Sequence, residues 1–261
     1  MQTQRLEFPG ASGHTLAARL DLPDTTPRAY ALFAHCFTCG KDIKAAGRIA
    51  SALAEEGIAT LRFDFTGLGG SEGEFGNTGF QSNMEDLIAA AAFMRETQRP
   101  VSVLLGHSLG GTAVLAAAAE IPECRAVATL AAPFDAEHVL AHLSEQRAEI
   151  ESRGEATVHL GGRPFRIRRT FIERTTNHDQ GARIAELRRP LLVLHAPLDQ
   201  TVGVDNARAI FERRNTKSFI SLDNADHLLT NPADTRYAAT VIAAWAVRYL
   251  PESADEDRGK S

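Results

Sequence analysis

VSVLLGHSLGGTAVLAAAAE, residues 101–120, joins a short apolar run to an alanine-rich one through Gly106-His107-Ser108-Leu109-Gly110. Val101–Leu105 has the content of a buried strand, and Leu109–Glu120 that of a helix packed tightly on a sheet. A serine between them has a mechanical meaning. It must occupy a strained tight turn that thrusts its hydroxyl into a cleft, and Gly106 and Gly110 let the strand and helix backbones approach closely. The helix N-terminus below it favours developing negative charge. Alone, the pentad is only moderately specific, because a Gly-rich turn with a capping serine has the same letters.

The alternation continues outward. Ala29–Ala34, Ile58–Phe63, Ala126–Leu130, Leu191–His195 and Ser218–Leu222 read as further strands. Ile43–Glu56, Phe80–Thr97, Val204–Arg213 and Pro232–Tyr249 have helical spacing. Strand–helix alternation of this kind predicts right-handed crossovers, hence an α/β fold with a mostly parallel twisted sheet and helices on both faces. Near-continuous apolar strands fit burial on both sides. RLEF and TLAARLDL, before residue 28, predict an antiparallel N-terminal edge. Residues 134–189 are too long for a plain connection. They predict a small cap, with a helix over Ala136–Ser152 and a β-hairpin in ATVHLGGRPFRIRR around Gly161-Gly162. The expected division is a core of 1–133 and 190–250, a cap insertion of 134–189 and a disordered polar tail of 251–261.

Composition narrows the function classes. The chain has 261 residues, 44% hydrophobic and 23% charged, which suits a globular domain with a large core. A net charge of −5 with the signs well mixed argues against nucleic-acid partners. No run approaches a membrane span, and MQTQRLEFPG lacks the pattern of a signal peptide, so a cytoplasmic location with no membrane partner is expected. Cys36, Cys39 and Cys124 are too few and too odd for a disulfide framework. A structural zinc site usually takes four ligands, and no second C-x-x-C or close histidine pair accompanies the first, so no metal and no cofactor are expected. The oligomeric state is open.

A serine hydroxyl needs a base, and the base needs an orienting acid. In hydrolases built on such a turn the chain order is serine, acid, histidine. Asp199, in APLDQTV, follows the strand Leu191–His195, and His227, in DNADHLL, precedes the last helix. Both stand in post-strand loops on the side where open sheets bind ligands. Asp135 is the competing acid, after the strand that follows the serine. Asp223 and Asp226 read as caps or turn formers. His107 is expected to point away from the base, His195 to be a satisfied buried imidazole, and His178 to lie on the surface.

HCFTCGKD, residues 35–42, follows the strand predicted to lie beside that of the serine. This loop is placed to give one backbone donor of an oxyanion hole, Phe37 N–H, with Leu109 N–H as the other. Ser108, Asp199, His227 and this loop resemble the α/β-hydrolase fold over residues 1 to 250. More narrowly, FAHCFTCGKDIKAA and LRFDFTGLGGSEGEF resemble the hydrolase half of bacterial bifunctional α/β-hydrolase/OsmC-like proteins. The resemblance implies a serine hydrolase and reaches no peroxide-reducing domain, so peroxidase activity is not implied.

The oxyanion loop of the broader fold commonly reads His-Gly, whereas here it reads His35-Cys36. Cys36 is read as a small, partly buried residue. The sharper alternative is a reversible Cys36–Cys39 disulfide that distorts the oxyanion hole. FDFTGLGGSEGEFG could suggest a dinucleotide site, but no helix opens there, and Asp64, Gly67, Gly69 and Ser71 instead resemble a loop of hydrolases. Arg166 and Arg168 read as a solvated strand face; turned to the cleft, they would attract an anionic acyl group. The sequence thus predicts a carboxylesterase-like enzyme acting on a small-molecule ester. A thioesterase or small peptidase would share every residue named, and a non-catalytic binding protein on the same fold is the rival from another class.

Overall fold

The computed structural model of the chain describes residues 1–214 and 217–250. Its strands are β1 (Gln2–Pro9), β2 (Thr15–Leu22), β3 (Ala29–Ala34), β4 (Ile58–Phe63), β5 (Val101–His107), β6 (Ala126–Leu130), β7 (Glu155–Leu160), β8 (Arg163–Arg168), β9 (Leu191–His195) and β10 (Lys217–Ser221). Its α-helices are α1 (Lys44–Glu55), α2 (Phe80–Glu96), α3 (Leu109–Ala117), α4 (Arg147–Arg153), α5 (Arg169–Glu173), α6 (Gln180–Glu186), α7 (Asp205–Glu212) and α8 (Pro232–Val247).

Eight strands form one sheet in the order β1-β2-β4-β3-β5-β6-β9-β10. From β4 to β10 every pairing is parallel. β1 and β2 form the expected antiparallel edge, with Gln2 opposite Leu22 and Pro9 opposite Thr15. All residues of β4, β5, β6 and β9 are buried, whereas the edge strand β10 is only partly covered. The two sheet faces hold separate cores. Ile49 and Leu53 of α1 and Ile242 and Ala246 of α8 pack on one face. Leu87 of α2, Val114 of α3 and Ile210 of α7 pack on the other. In β5, the register slips by one residue at Ser102, so Val101 and Val103 reach opposite cores.

This order puts the loops after β3, β5, β9 and β10 at one end of the sheet, with the serine turn near its centre. α3 is buried at every position and ends in a 3-10 turn over Ala118–Glu120. Its glycines and alanines allow that depth: a Cβ on Gly111 would lie 2.6 Å from Ala132 Cβ.

The segment between β6 and β9 corrects one expectation. No single helix spans Ala136–Ser152. A 3-10 helix covers Ala136–Leu143, and α4 starts afresh at Arg147. The apolar pairs Ala136/Val139 and Leu140/Leu143 are three apart and all buried, a spacing the tighter helix lines up on one side. The hairpin forms as expected, with Glu155 opposite Arg168 and Gly161-Gly162 at the turn. Both of these glycines have positive φ. The short helices α5 and α6 had no clear signal in the sequence. The tail expected to be disordered, residues 251–261, lies outside the described residues.

Candidate active site

Ser108 links β5 to α3 with φ +53° and ψ −126°. Positive φ is uncommon outside glycine and costs roughly 1–3 kcal/mol, which the surroundings must offset. Ser108 N–H donates to Leu130 O at 2.8 Å, tying the turn to β6. A Cβ on Gly106 would lie 2.2 Å from Gly110 O, and one on Gly110 would lie 2.3 Å from Ala34 O. Only glycine at both positions lets α3 come so close beneath the serine.

Three loops meet at that hydroxyl. His227 Nε2 lies 3.0 Å from Ser108 Oγ, and His227 Nδ1 lies 2.7 Å from Asp199 Oδ2. Asp199 Oδ1 accepts from the N–H groups of Thr201 and Val202 at 2.8 and 2.9 Å. Burial alone would raise the Asp199 carboxyl, but hydrogen bonds from His227, Val202 and Thr201 outweigh it and hold the group below its ordinary value. The carboxylate is therefore ionised at neutral pH. The proton of a neutral His227 then faces it from Nδ1, and Nε2 offers a lone pair to the serine.

Leu109 N–H stands at the start of α3, where a helix leaves its first donors without an internal acceptor. Phe37 lines the pocket that contains Ser108. Neither N–H donates to an acceptor among the described residues. The pocket encloses about 320 Å³ and is walled by Phe37, Val139, His142, Leu160, Val202 and Leu228, among others. The ring of Phe37 stacks on His142, with centroids 6.0 Å apart at 13°. Its other neighbours are Phe75 and Phe171.

Cys36 and Cys39 are joined by a disulfide. Cys36 is thus not the free small residue favoured from sequence; the alternative pairing is the one present. His35, directly before it, is buried, with Nδ1 2.8 Å from Cys36 O and Nε2 3.3 Å from Phe65 N. It therefore donates from Nδ1 and accepts at Nε2. The Asp64 loop braces the same region. Asp64 accepts from Lys41 N–H and Lys41 Nζ, each at 2.6 Å, and from Gly70 N–H at 2.8 Å. A Cβ on Gly69 would sit 2.1 Å from Asp64 Oδ2. Only a 3-10 turn at Phe75–Asn77 follows, and the next α-helix starts at Phe80, so these glycines shape a brace behind the Phe37 loop and not a phosphate cradle.

The remaining expectations divide. His195 is fully buried, as expected, but only half satisfied: Nε2 donates to Val202 O at 2.8 Å, whereas the buried Nδ1 has no hydrogen-bond partner among the described residues. The Asp135 side chain caps the 3-10 helix through Glu137 N–H, and Asp226 accepts from Thr230 N–H. Arg166 pairs with Glu155, and Arg168 with Glu74 and Glu155, on an exposed face. His178 is half-buried, edge-on to Phe80, and so is not a plain surface residue. His107 is the larger correction. Instead of pointing away, its Nε2 lies 2.7 Å from His227 O. Its position at the end of β5 sends the ring under the histidine loop.

Sequence reasoning also passed over His138, His142 and His159, which line the pocket. The four-residue spacing of His138 and His142 in a helical run was the available signal. Among the described residues, no cluster of three or more His, Cys, Asp or Glu could hold a metal ion, and no helix is long and apolar enough to cross a membrane.

Comparison with known proteins agrees with this architecture. The family described as serine aminopeptidase, S33, matches residues 25–149. The crystal structure of the esterase domain from a Rhodothermus marinus protein is 47% identical, covering 96% of this chain and 100% of that chain with a TM-score of 0.77. Monoacylglycerol lipase of Mycolicibacterium smegmatis is 23% identical over 279 residues, 93% of this chain and 96% of its own length. Est1E from Butyrivibrio proteoclasticus, solved with ferulic acid bound, shares the fold at a TM-score of 0.78 and 19% identity, over 92% of this chain and 99% of that one.

Proposed function

Because the chain belongs to the α/β-hydrolase-fold serine hydrolases of esterase/lipase type, we propose that it cleaves small carboxylic esters through an acyl intermediate on Ser108. One observation carries the reading: His227 bridges the Ser108 hydroxyl and the Asp199 carboxylate at 3.0 and 2.7 Å.

In the first half-reaction Ser108 Oγ attacks the ester carbonyl while His227 Nε2 takes the hydroxyl proton. The imidazolium forms beside an ionised Asp199, which stabilises it and fixes the ring's orientation. The new oxyanion accepts from Leu109 N–H and Phe37 N–H; losing one such donor costs about 3 kcal/mol. Collapse of the tetrahedral species breaks the bond to the alcohol, which leaves with the proton from Nε2. Water then repeats the sequence in reverse, with His227 as base, and frees the acid and Ser108. Every group used belongs to the chain, so the proposed cycle needs no cofactor.

Residues 134–189 serve as a cap in this reading. Val139, His142 and Leu160 from that segment face Ser108 across the pocket, so the cap sets which leaving and acyl groups fit. A volume near 320 Å³ suits a small ester better than a long-chain lipid.

The test is a series of p-nitrophenyl esters from acetate to octanoate, followed by intact mass after rapid acid quench. Turnover with an acyl mass increment on Ser108, absent in Ser108→Ala, supports the reading. Turnover that survives in Ser108→Ala overturns it. Thioester and anilide analogues of the best acyl group, run alongside, separate esterase from thioesterase and peptidase.

A further inference from the structure

The Cys36–Cys39 disulfide has no part in the chemistry just proposed, yet its place is specific. It closes the loop Cys36-Phe37-Thr38-Cys39, which contains the proposed oxyanion donor, and both cysteines line the pocket with Ser108 and His227. Cys36 is buried and Cys39 half-buried, so Cys39 is the more reachable residue of the pair. The third cysteine cannot exchange with them: Cys124 is buried beside a different cavity, and burial pushes its thiol up to about 12.

The loop holds a backbone conformation that is uncommon for its residues. Thr38 has φ +57°, a left-handed backbone that a β-branched residue rarely adopts. Cys39 N–H donates to Cys36 O at 3.1 Å across this turn. Cys36 O also accepts from His35 Nδ1, so the start of the loop is anchored, as is its end, where Lys41 N–H meets Asp64. Between the anchors, the disulfide and a contact from Arg163 to Thr38 O restrain the chain. Within this closed loop Phe37 N–H has no acceptor among the described residues, and the Ser108–His227–Asp199 contacts are made. The closed loop and the assembled Ser108–His227–Asp199 contacts therefore occur together in this structure.

We propose that Cys36–Cys39 is a thiol-exchange site in the wall of the substrate pocket, open to small dithiols, whose closed form sets the Phe37 oxyanion donor. This rests on the esterase reading above. A thiolate of the dithiol attacks Cys39 Sγ, the protein S–S bond breaks, and Cys36 leaves as a thiolate that takes a proton. The second thiol of the reagent then displaces Cys39 from the mixed disulfide. Two electrons and two protons pass to the protein, and the dithiol becomes a disulfide. With the bridge open, Thr38 relaxes from positive φ and Phe37 N–H swings off the oxyanion position. A low-molecular-weight disulfide reverses the change.

The experiment compares air-oxidised protein with protein treated with dithiothreitol and desalted under argon. It measures native thiols with Ellman's reagent, kcat and KM for a p-nitrophenyl ester, and fluorophosphonate labelling of Ser108. The expected result is no reactive thiol before reduction and two after it. The kcat falls about tenfold, within the 10²–10³-fold ceiling for complete loss of one oxyanion donor, with KM little changed. Oxidised dithiothreitol restores the rate. Cys36→Ser/Cys39→Ser is fixed at the low rate in either condition; if it does not fold, the reduced wild type, checked by circular dichroism, carries the comparison. Two released thiols with an unchanged or increased kcat overturn the proposal, as does the absence of thiol release. Failure of the esterase reading looks different: no turnover and no Ser108 label in either redox state, which removes both.

Discussion

His107 Nε2 donates to the main-chain carbonyl of His227 at 2.7 Å, and the two rings stand 5.3 Å apart. The residue before the serine thus holds the loop of the histidine that faces the serine. The carbonyl can only accept, so Nε2 carries a proton; burial pushes the ring's pKa down to about 4, so it is neutral at pH 7. One strand end, β5, positions two members of the constellation at once: Ser108 directly and His227 through its backbone.

Removing that anchor is expected to loosen His227 without touching substrate. His107→Leu leaves a part-buried carbonyl without its donor, a cost of about 1 kcal/mol. The kcat falls about tenfold and KM stays within about twofold. His107→Gln, whose amide can still donate, recovers part of the rate. Steady-state kinetics of the three proteins checks this; a loss confined to KM contradicts it.

Acid stability follows from the same ring. Burial first, then the neighbouring His227, pushes His107 down to about 4. Between the unfolded value near 6.5 and about 4, the unfolded chain binds this proton and the folded chain does not. Stability is therefore full above that window and falls as pH drops through it, by about 3 kcal/mol at order of magnitude for this group. Buried His35 and His195 are also shifted downward by burial and act in the same sense. Urea midpoints from pH 7 to pH 4 measure the slope, which becomes shallower in His107→Gln.

Asp199 is expected to act through His227. Asp199→Asn keeps the size of the side chain but removes the charge that holds the Nδ1 proton in place. A fall in kcat of about 10³–10⁴-fold is expected, on the scale of the equivalent change in other serine triads. A fall of less than tenfold would assign the orienting role elsewhere.

The glycine before the serine is a matter of space. Gly106→Ala would drive a Cβ to 2.2 Å from Gly110 O, backbone against backbone. Overpacking of this kind costs about 3 kcal/mol, or roughly 6–12 °C in melting temperature for a chain of this length. Gly203→Ala is the control, since a Cβ there meets nothing within 4 Å. Its melting temperature should match wild type.

What was legible in the sequence was what local chemistry writes. Val101–Leu105, the glycines about Ser108, and the loops holding Asp199 and His227 each carry their own signal, and together they specify a parallel sheet with a cleft at one end. What was not legible depended on contacts between distant segments. The direction of His107 is set by where the His227 loop passes. The break after Leu143 reflects which apolar residues are buried, Ala136, Val139, Leu140 and Leu143, and α5 and α6 are too short to carry a period. The state of Cys36 and Cys39 could not be read from spacing alone, because C-x-x-C is compatible with both free and bonded sulfurs. Their bond depends on the Thr38 turn bringing the two Cα atoms to 5.3 Å.

The most direct measurement of the central claim is the rate at which a fluorophosphonate labels Ser108, located by peptide mapping, in wild type and in His227→Ala. Wild type is predicted to label at Ser108 alone, with the rate at least about 10³-fold lower in His227→Ala. Equal labelling rates in the two proteins would contradict the account, because the serine would then owe nothing to the imidazole 3.0 Å away.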